Sequence, residues 1–145
     1  MAGTNHKESS KVQEGPAIIL IVPQLGENIG KAVRAMYNFG LTDLRLVAPR
    51  DGWPNEAAVA PAAGADIVLE KARVYETTAE AIADLEYVYA TTARPRDIIK
   101  EVVTPKHCCN LMRGHVNSGK KVGLLFGPEK AGLKNDDIVL STAID

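Results

Sequence analysis

The stretch Val122-Gly123-Leu124-Leu125-Phe126-Gly127-Pro128-Glu129-Lys130-Ala131-Gly132-Leu133 decides how this chain is read. Leu124 to Phe126 is a short apolar run that stops at Gly127 and Pro128, with Glu129 behind them and a further glycine at Gly132. An apolar run of that length closed by Gly-Pro reads as a buried strand emptying into a loop. In open α/β sheets, ligands sit just outside the carboxyl ends of strands. The loop is therefore the first candidate for a site.

Upstream, Ala17 to Val22 is rich in β-branched residues and apolar on both faces, as expected of a central parallel strand covered by helices. Pro23 ends it, and Gln24-Leu25-Gly26-Glu27-Asn28 forms a loop whose Asn28 is the candidate N-cap of a first helix. Ile29, Val33, Met36 and Tyr37 recur at helical spacing, and Gly40 stands where a helix-ending glycine belongs. Leu44 to Val47 reads as a second strand, closed by Pro49. Gly52, Pro54, Pro61 and Gly64 allow only short or broken helix between residues 51 and 64. Asp66 to Leu69 and Arg73 to Tyr75 are short strand candidates, and Thr78 to Leu85 is a short helix capped by Thr77 or Thr78. Tyr87 to Ala90 makes the next strand. Thr104 followed by Pro105 opens a helix to about Val116. A strand then covers Lys120 to Phe126, and Asn135 to Leu140 holds one or two helical turns.

Strands and helices alternate throughout. The class is α/β, with a mainly parallel sheet and helices on both faces. The crossover rule puts the loops after Val22, Ala90 and Phe126 on one edge of that sheet, so Asn28, Arg94 and Glu129 are expected to converge.

With 145 residues, 46% of them apolar and 24% charged, the chain suits one soluble domain with a core of its own. Residues 1–15 are polar and read as a disordered tail that lacks the apolar stretch of a signal peptide; residues 16–145 form the domain. No apolar run reaches the roughly 18 residues that a membrane span needs. Cys108 and Cys109 are adjacent, which is neither a disulfide framework nor a metal spacing, and fits a reducing cytoplasm. His107 and His115 stand eight apart without a carboxylate or cysteine at zinc-like spacing, so no metal is assigned. The net charge of −1 excludes a broadly basic nucleic-acid domain, and any RNA contact must come from a local group of arginines.

The loop from Gly127 to Lys134 resembles a phosphate-binding loop in its glycine spacing, yet Leu133 stands where the lysine belongs and no Ser or Thr follows. Glu129 repels anions and Pro128 lacks an N–H, so phosphate suits it poorly. No G-x-G-x-x-G follows the first strand, which sets aside a nicotinamide site. Backbone donors without a cation suit a neutral nucleoside better; a plain Gly-Pro turn with a surface glutamate is the alternative. Arg34 lies six residues after Asn28, either as a solvated charge or leaning back toward the sheet edge, since helical side chains point to the N-terminus. Arg94 and Arg96 flank Pro95, either as a phosphate clamp or as two loop charges.

Together, Asn28-Ile29-Gly30 followed by Arg34, and Leu125-Phe126-Gly127-Pro128-Glu129 followed by Gly132-Leu133, resemble the first two motifs of the SpoU-type branch of the SPOUT RNA 2′-O-methyltransferases. Asn38-Phe39-Gly40 and Leu44 to Val47 match that family's usual continuation. The loop Thr91-Thr92-Ala93-Arg94-Pro95-Arg96 looks most like the bacterial tRNA 2′-O-methyltransferases acting at position 32 of the anticodon loop. The resemblance covers about residues 17 to 145. It implies S-adenosylmethionine as cofactor, held by Thr91, Thr92, Ala93 and Gly127, with Asn28, Arg34 and Glu129 in the catalytic site. It implies RNA bound through Arg34, Arg94 and Arg96, a homodimer, a cytoplasmic setting and an α/β knot. The family's third motif would follow Ala143-Ile144-Asp145, so the knot is expected to be incomplete in this chain. Methyl transfer from a sulfonium is largely a positioning task. Because arginine ordinarily stays protonated, Arg34 is expected to orient the ribose hydroxyl rather than to abstract its proton. A non-catalytic RNA- or nucleoside-binding module, and an unrelated α/β nucleotide enzyme, remain open beside this reading.

Overall fold

The computed structural model describes residues 15–91, 105–127 and 143–144. In chain order these are β1 (Ala17–Ile21), α1 (Gly26–Asn38), β2 (Leu44–Val47), a 3-10 turn (Glu56–Ala58), α2 (Val59–Ala62), α3 (Asp66–Lys71), β3 (Arg73–Tyr75), α4 (Thr78–Ala81), β4 (Tyr87–Ala90), α5 (Pro105–Asn117), β5 (Val122–Phe126) and β6 (Ala143–Ile144). The six strands form one sheet in the order β3-β2-β1-β5-β4-β6, and every pair is parallel. β1 and β5 hold its centre, with Ile18 opposite Leu44 on one side and Leu124 on the other.

Side chains alternate across this sheet with the period of two that a strand imposes. Ile18, Leu44 and Leu46 meet Ile29, Val33 and Met36 of α1, with Ala58, Ala62, Ala65 and Val68 completing that cluster. On the same face, Tyr89 and Val122 are covered by Met112 and Val116 of α5. Ile19, Ile21, Val47, Val88, Ala90 and Leu125 point the other way, under Ala81, Ile82 and Leu85. The helices that return β1 to β2 and β4 to β5 lie on one face, and both crossovers step across the sheet in the same direction. The return from β3 to β4 steps in the opposite direction, and α4 lies on the opposite face. A single hand of crossover demands that pairing of direction and face.

α1 buries Ile29, Val33 and Met36 at the i, i+4, i+7 positions of one stripe. It ends at Gly40, whose φ of 76° an L side chain adopts only under strain. There the Gly40 N–H donates to Tyr37 O and the Leu41 N–H to Met36 O, at 3.0 and 2.8 Å, so the last carbonyls keep partners. Gly30 has a different reason to be glycine. A Cβ there would overlap the Ala58 carbonyl oxygen and lie 2.9 Å from Pro61 Cβ, so only glycine lets α1 pack this closely on the 3-10 turn and α2.

Five expectations depart from the sequence reading. β1 ends at Ile21 rather than Val22, whose φ of 47° turns the chain out of the sheet. Asn28 is not the N-cap: α1 begins at Gly26 behind Leu25, which puts Asn28 in the first turn and Arg34 in the third. Asp66–Leu69 is helical rather than a strand, because Ala65, Val68 and Leu69 turn one side to the core at helical spacing. α4 stops at Ala81, capped by Thr77, whose hydroxyl accepts from the Glu80 N–H while the Glu80 carboxylate accepts from the Thr77 N–H. β5 starts at Val122, two residues later than expected. β6 was missed: two residues give no periodicity, and only pairing with Tyr89 and Ala90 makes them a strand. The helical turns expected at Asn135 to Leu140, and the segment that would thread a knot, lie outside the described residues, as do residues 1–14 of the expected tail.

Candidate active site

The chain leaves β1 toward β2 and leaves β5 toward β6, in opposite directions across the sheet. The order therefore reverses between β1 and β5, and the crevice outside their carboxyl ends is where an open α/β sheet binds ligands. β1 reaches that edge at Val22, whose N–H donates to Val47 O at 2.8 Å and whose φ is 47°. The neighbouring β2 leaves the sheet in the same way, through Ala48 with φ 44° and an N–H bonded to Tyr75 O. A β-branched residue in the left-handed region is a true outlier and costs on the order of 1–3 kcal/mol. The Arg50 N–H then donates to Pro23 O at 3.0 Å, tying the loop after β2 to the loop after β1.

That tie leads into the first turn of α1, where Leu25 O accepts from the N–H groups of Asn28 and Ile29 at 3.1 and 3.2 Å. Asn28 is half-buried and Arg34 exposed. Six residues at 3.6 per turn set Arg34 about 120° around the helix from Asn28 and about 9 Å along it. The two side chains therefore leave α1 on different stripes, and Arg34 forms no ion pair among the described residues.

Opposite this turn, the end of β4 is fastened to the end of β5. Both the N–H and the Oγ1 hydroxyl of Thr91 donate to Leu125 O, at 3.0 and 2.8 Å. Two bonds on one carbonyl hold Thr91 level with the last residues of β5, so Thr91 and Gly127 leave adjacent strands side by side. The structure thus brings Thr91, Gly127 and the Asn28 turn to one edge. Glu129, Thr92, Ala93, Arg94 and Arg96 lie outside the described residues.

A cavity of about 440 Å³ opens on the other edge, among Ala17, Asp43, Arg45, Arg73, Asp84 and Val122 at the amino ends of the strands. Its charges are engaged with one another, which makes it a poor candidate for the site. Arg45 sits in mid-strand with 3% of its surface exposed. Nε donates to Asp43 at 3.2 Å, Nη2 to Asp43 at 2.9 Å and Asp84 at 3.1 Å, and Nη1 to Asp84 at 2.6 Å and Ala81 O at 2.7 Å. All five guanidinium donors are used. Burial pushes the Asp43 carboxyl up, but the hydrogen bonds and charges of Arg45 and Arg73 outweigh it and hold it below the ordinary carboxylate range. Hydrogen bonding from Arg45 likewise holds Asp84 down, against a smaller push from burial. Sequence reading passed over Arg45, because a charge alternating within Leu44 to Val47 looks like a solvent-facing position.

His115 stacks on Tyr87 with ring centroids 3.6 Å apart and planes 6° from parallel, a packing role rather than a ligand's. Among the described residues, no three metal-ligating side chains come together, and no helix is long and apolar enough to cross a membrane.

The model of the SpoU rRNA Methylase family matches residues 15–144. Over 121 residues the chain is 39% identical to the tRNA (cytidine/uridine/adenosine-2′-O-)-methyltransferase TrmJ of Pseudomonas aeruginosa, covering 83% of this chain and 47% of that protein. It is 34% identical to the tRNA (cytidine-2′-O-)-methyltransferase TrmJ of Methanocaldococcus jannaschii, over 84% of this chain and 53% of that one. The chain thus spans about half the length of the curated relatives it matches. Among solved structures, TrmJ from Z. mobilis superposes with a TM-score of 0.85 at 59% identity, covering 89% of this chain and 56% of that one. The SpoU methyltransferase AviRb from Streptomyces viridochromogenes, in complex with AdoMet, shares the fold at a TM-score of 0.65 and 17% identity, over 90% of this chain and 47% of its own.

Proposed function

Since the chain belongs to the SpoU rRNA methylase family, we propose that it transfers a methyl group from S-adenosylmethionine to a ribose 2′-hydroxyl of RNA, in the anticodon loop of a tRNA. The observation that carries this reading is the doubly bonded Thr91, which sets the end of β4 beside Gly127 at the point where the strand order reverses. The fit to the cofactor rests on the same place. Gly127 brings backbone without a side chain, and no lysine of the phosphate-binding type stands there to repel a sulfonium. Thr91, Thr92, Ala93 and Gly127 hold the cofactor, which supplies an electrophilic methyl group when bound.

The chain's own residues do the positioning. Asn28, from the first turn of α1, fixes the RNA backbone at the crevice, and Glu129 holds a loop amide or Asn28. Arg34 orients the 2′-hydroxyl and a neighbouring phosphate, and Arg94 and Arg96 meet further phosphates, contacts that weaken with salt. A homodimer belongs to the reading. Phe39, 81% exposed at the end of α1, is a large apolar side chain that a second copy would cover. The tRNA substrate comes from the named activity of the relatives.

Calorimetry with S-adenosylmethionine, S-adenosylhomocysteine and ATP, beside methylation of an unmodified tRNA transcript, tests the reading. Binding of the first two but not ATP, with methyl transfer that Arg34→Ala abolishes while S-adenosylmethionine still binds, is the expected result. ATP binding alone would point to another nucleotide enzyme, and RNA binding without transfer to a non-catalytic module.

A further inference from the structure

Along β1 the side chains alternate as a strand requires. Ile18 and Leu20 pack in the cluster under α1, and Ile19 and Ile21 in the cluster under Ala81, Ile82 and Leu85. Continued alternation would turn Val22 toward α1. It packs instead against the same cluster as Ile21. The break falls on the residue whose φ is 47°, a region that a branched Cβ rarely enters and that glycine would occupy freely. Strain of this kind persists only where the surroundings over-determine it, and such outliers gather at functional sites. Three contacts over-determine this one. The Val22 N–H donates to Val47 O at 2.8 Å, Pro23 O accepts from the Arg50 N–H at 3.0 Å, and the half-buried isopropyl group is seated on the apolar cluster. A glycine would relieve the strain but would remove the third contact and leave the exit free to relax.

Only Pro23, Gln24 and Leu25 separate this exit from the start of α1 at Gly26. Pro23 has a fixed φ, and Leu25 O accepts from the Asn28 N–H, so a direction set at Val22 is carried to the turn that holds Asn28. We propose that Val22 is a positioning residue for methyl transfer: its left-handed exit, anchored by the isopropyl group, sets where the Asn28 turn stands against the end of β5. This rests on the proposed methyltransferase reading and adds a residue that acts through the Asn28 turn rather than on the reacting atoms.

Single-turnover methylation of a tRNA transcript, with both substrates saturating, tests this on the whole chain as wild type, Val22→Gly, Val22→Ile and Ile82→Ala. Calorimetric affinity for S-adenosylmethionine and thermal melts are measured beside it. Ile82, at the end of α4, packs on the same cluster away from the β1 exit, so its truncation controls for lost burial alone. A misplacement of about 1 Å costs on the order of a hundredfold in rate, so Val22→Gly should slow transfer by at least about tenfold, with affinity for S-adenosylmethionine within about two-fold of wild type. Val22→Ile keeps the branched Cβ and its packing and should match the wild-type rate. Ile82→Ala should lower Tm without slowing transfer. Should Val22→Gly fail to fold, Val22→Ala takes its place and should show the same loss of rate. A Val22→Gly rate equal to wild type, equal losses in Val22→Gly and Ile82→Ala, or a fall in cofactor affinity as large as the fall in rate would overturn the positioning role while leaving the methyltransferase reading standing. A wild type that transfers no methyl group would overturn both.

Discussion

Replacing Arg45 with methionine keeps a side chain of similar length and removes all five donors from the amino edge of the sheet. The loss can be sized from its surroundings. Arg45 is 3% exposed, whereas its partners Asp43 and Asp84 are 26% and 48% exposed, so water can take over much of their solvation. Breaking a fully buried pair costs about 3–5 kcal/mol, mostly from the charge left behind. With carboxylates this open, the figure falls to roughly 2–3 kcal/mol, part of it from the Ala81 carbonyl that loses its donor. For a chain of this size that lowers Tm by about 6–9 °C. The pH dependence gives the second readout. Asp43 and Asp84 have folded pKa values depressed below the unfolded value. Their contribution is therefore complete above the unfolded carboxylate value of about 4 and is lost as pH falls through the lower folded values. The gap in Tm between wild type and Arg45→Met should be full at pH 7 and shrink as pH drops below about 4. Calorimetric melts from pH 7 down to pH 3 measure it. A gap under about 1 kcal/mol at pH 7, or one independent of pH, would refute the account of Arg45 as an ionic clasp between β2 and the turn after α4.

Gly30→Ala should destabilise by about 1–3 kcal/mol, because the new methyl group meets the Ala58 carbonyl, and urea denaturation followed by circular dichroism will show it. A variant as stable as wild type would mean that α1 can shift away from the 3-10 turn without loss. Thr91→Val removes the hydroxyl bond to Leu125 O and retains the backbone one, so stability should fall by about 1 kcal/mol. Calorimetric affinity for S-adenosylmethionine should weaken with it, since the end of β4 is no longer doubly held beside Gly127. Unchanged affinity would assign the Thr91 hydroxyl a purely structural part.

Much of the frame could be read from the residues themselves. The β-branched run at Ala17 to Ile21 and the apolar run at Leu124 to Phe126 behave as central strands because nothing else buries both their faces. Thr77 with Glu80, and Gly40 after α1, are local devices whose partners lie within a few residues, so the sequence contains the whole interaction. Asp66–Leu69 was misread for the converse reason. Four residues carry too little periodicity to separate a strand from a helical turn, and burial of Ala65 and Val68 under α1 decided it. Asn28 was misread as a cap because its side chain suits one, while the chain had already turned helical at Gly26.

The sequence by itself determined the alternation of strands and helices, the edge on which the loops after Val22, Ala90 and Phe126 would emerge, and the family motifs, because each depends on residues close together along the chain. Tertiary structure alone decided three things. It turned Arg45 inward, since Asp84 and the Ala81 carbonyl reach it only across the sheet from 39 and 36 residues away. It made Gly30 a packing requirement, since the Ala58 carbonyl arrives from another element. It placed Arg50 beside the Asn28 turn, since the bond to Pro23 O joins two loops that no spacing along the chain relates.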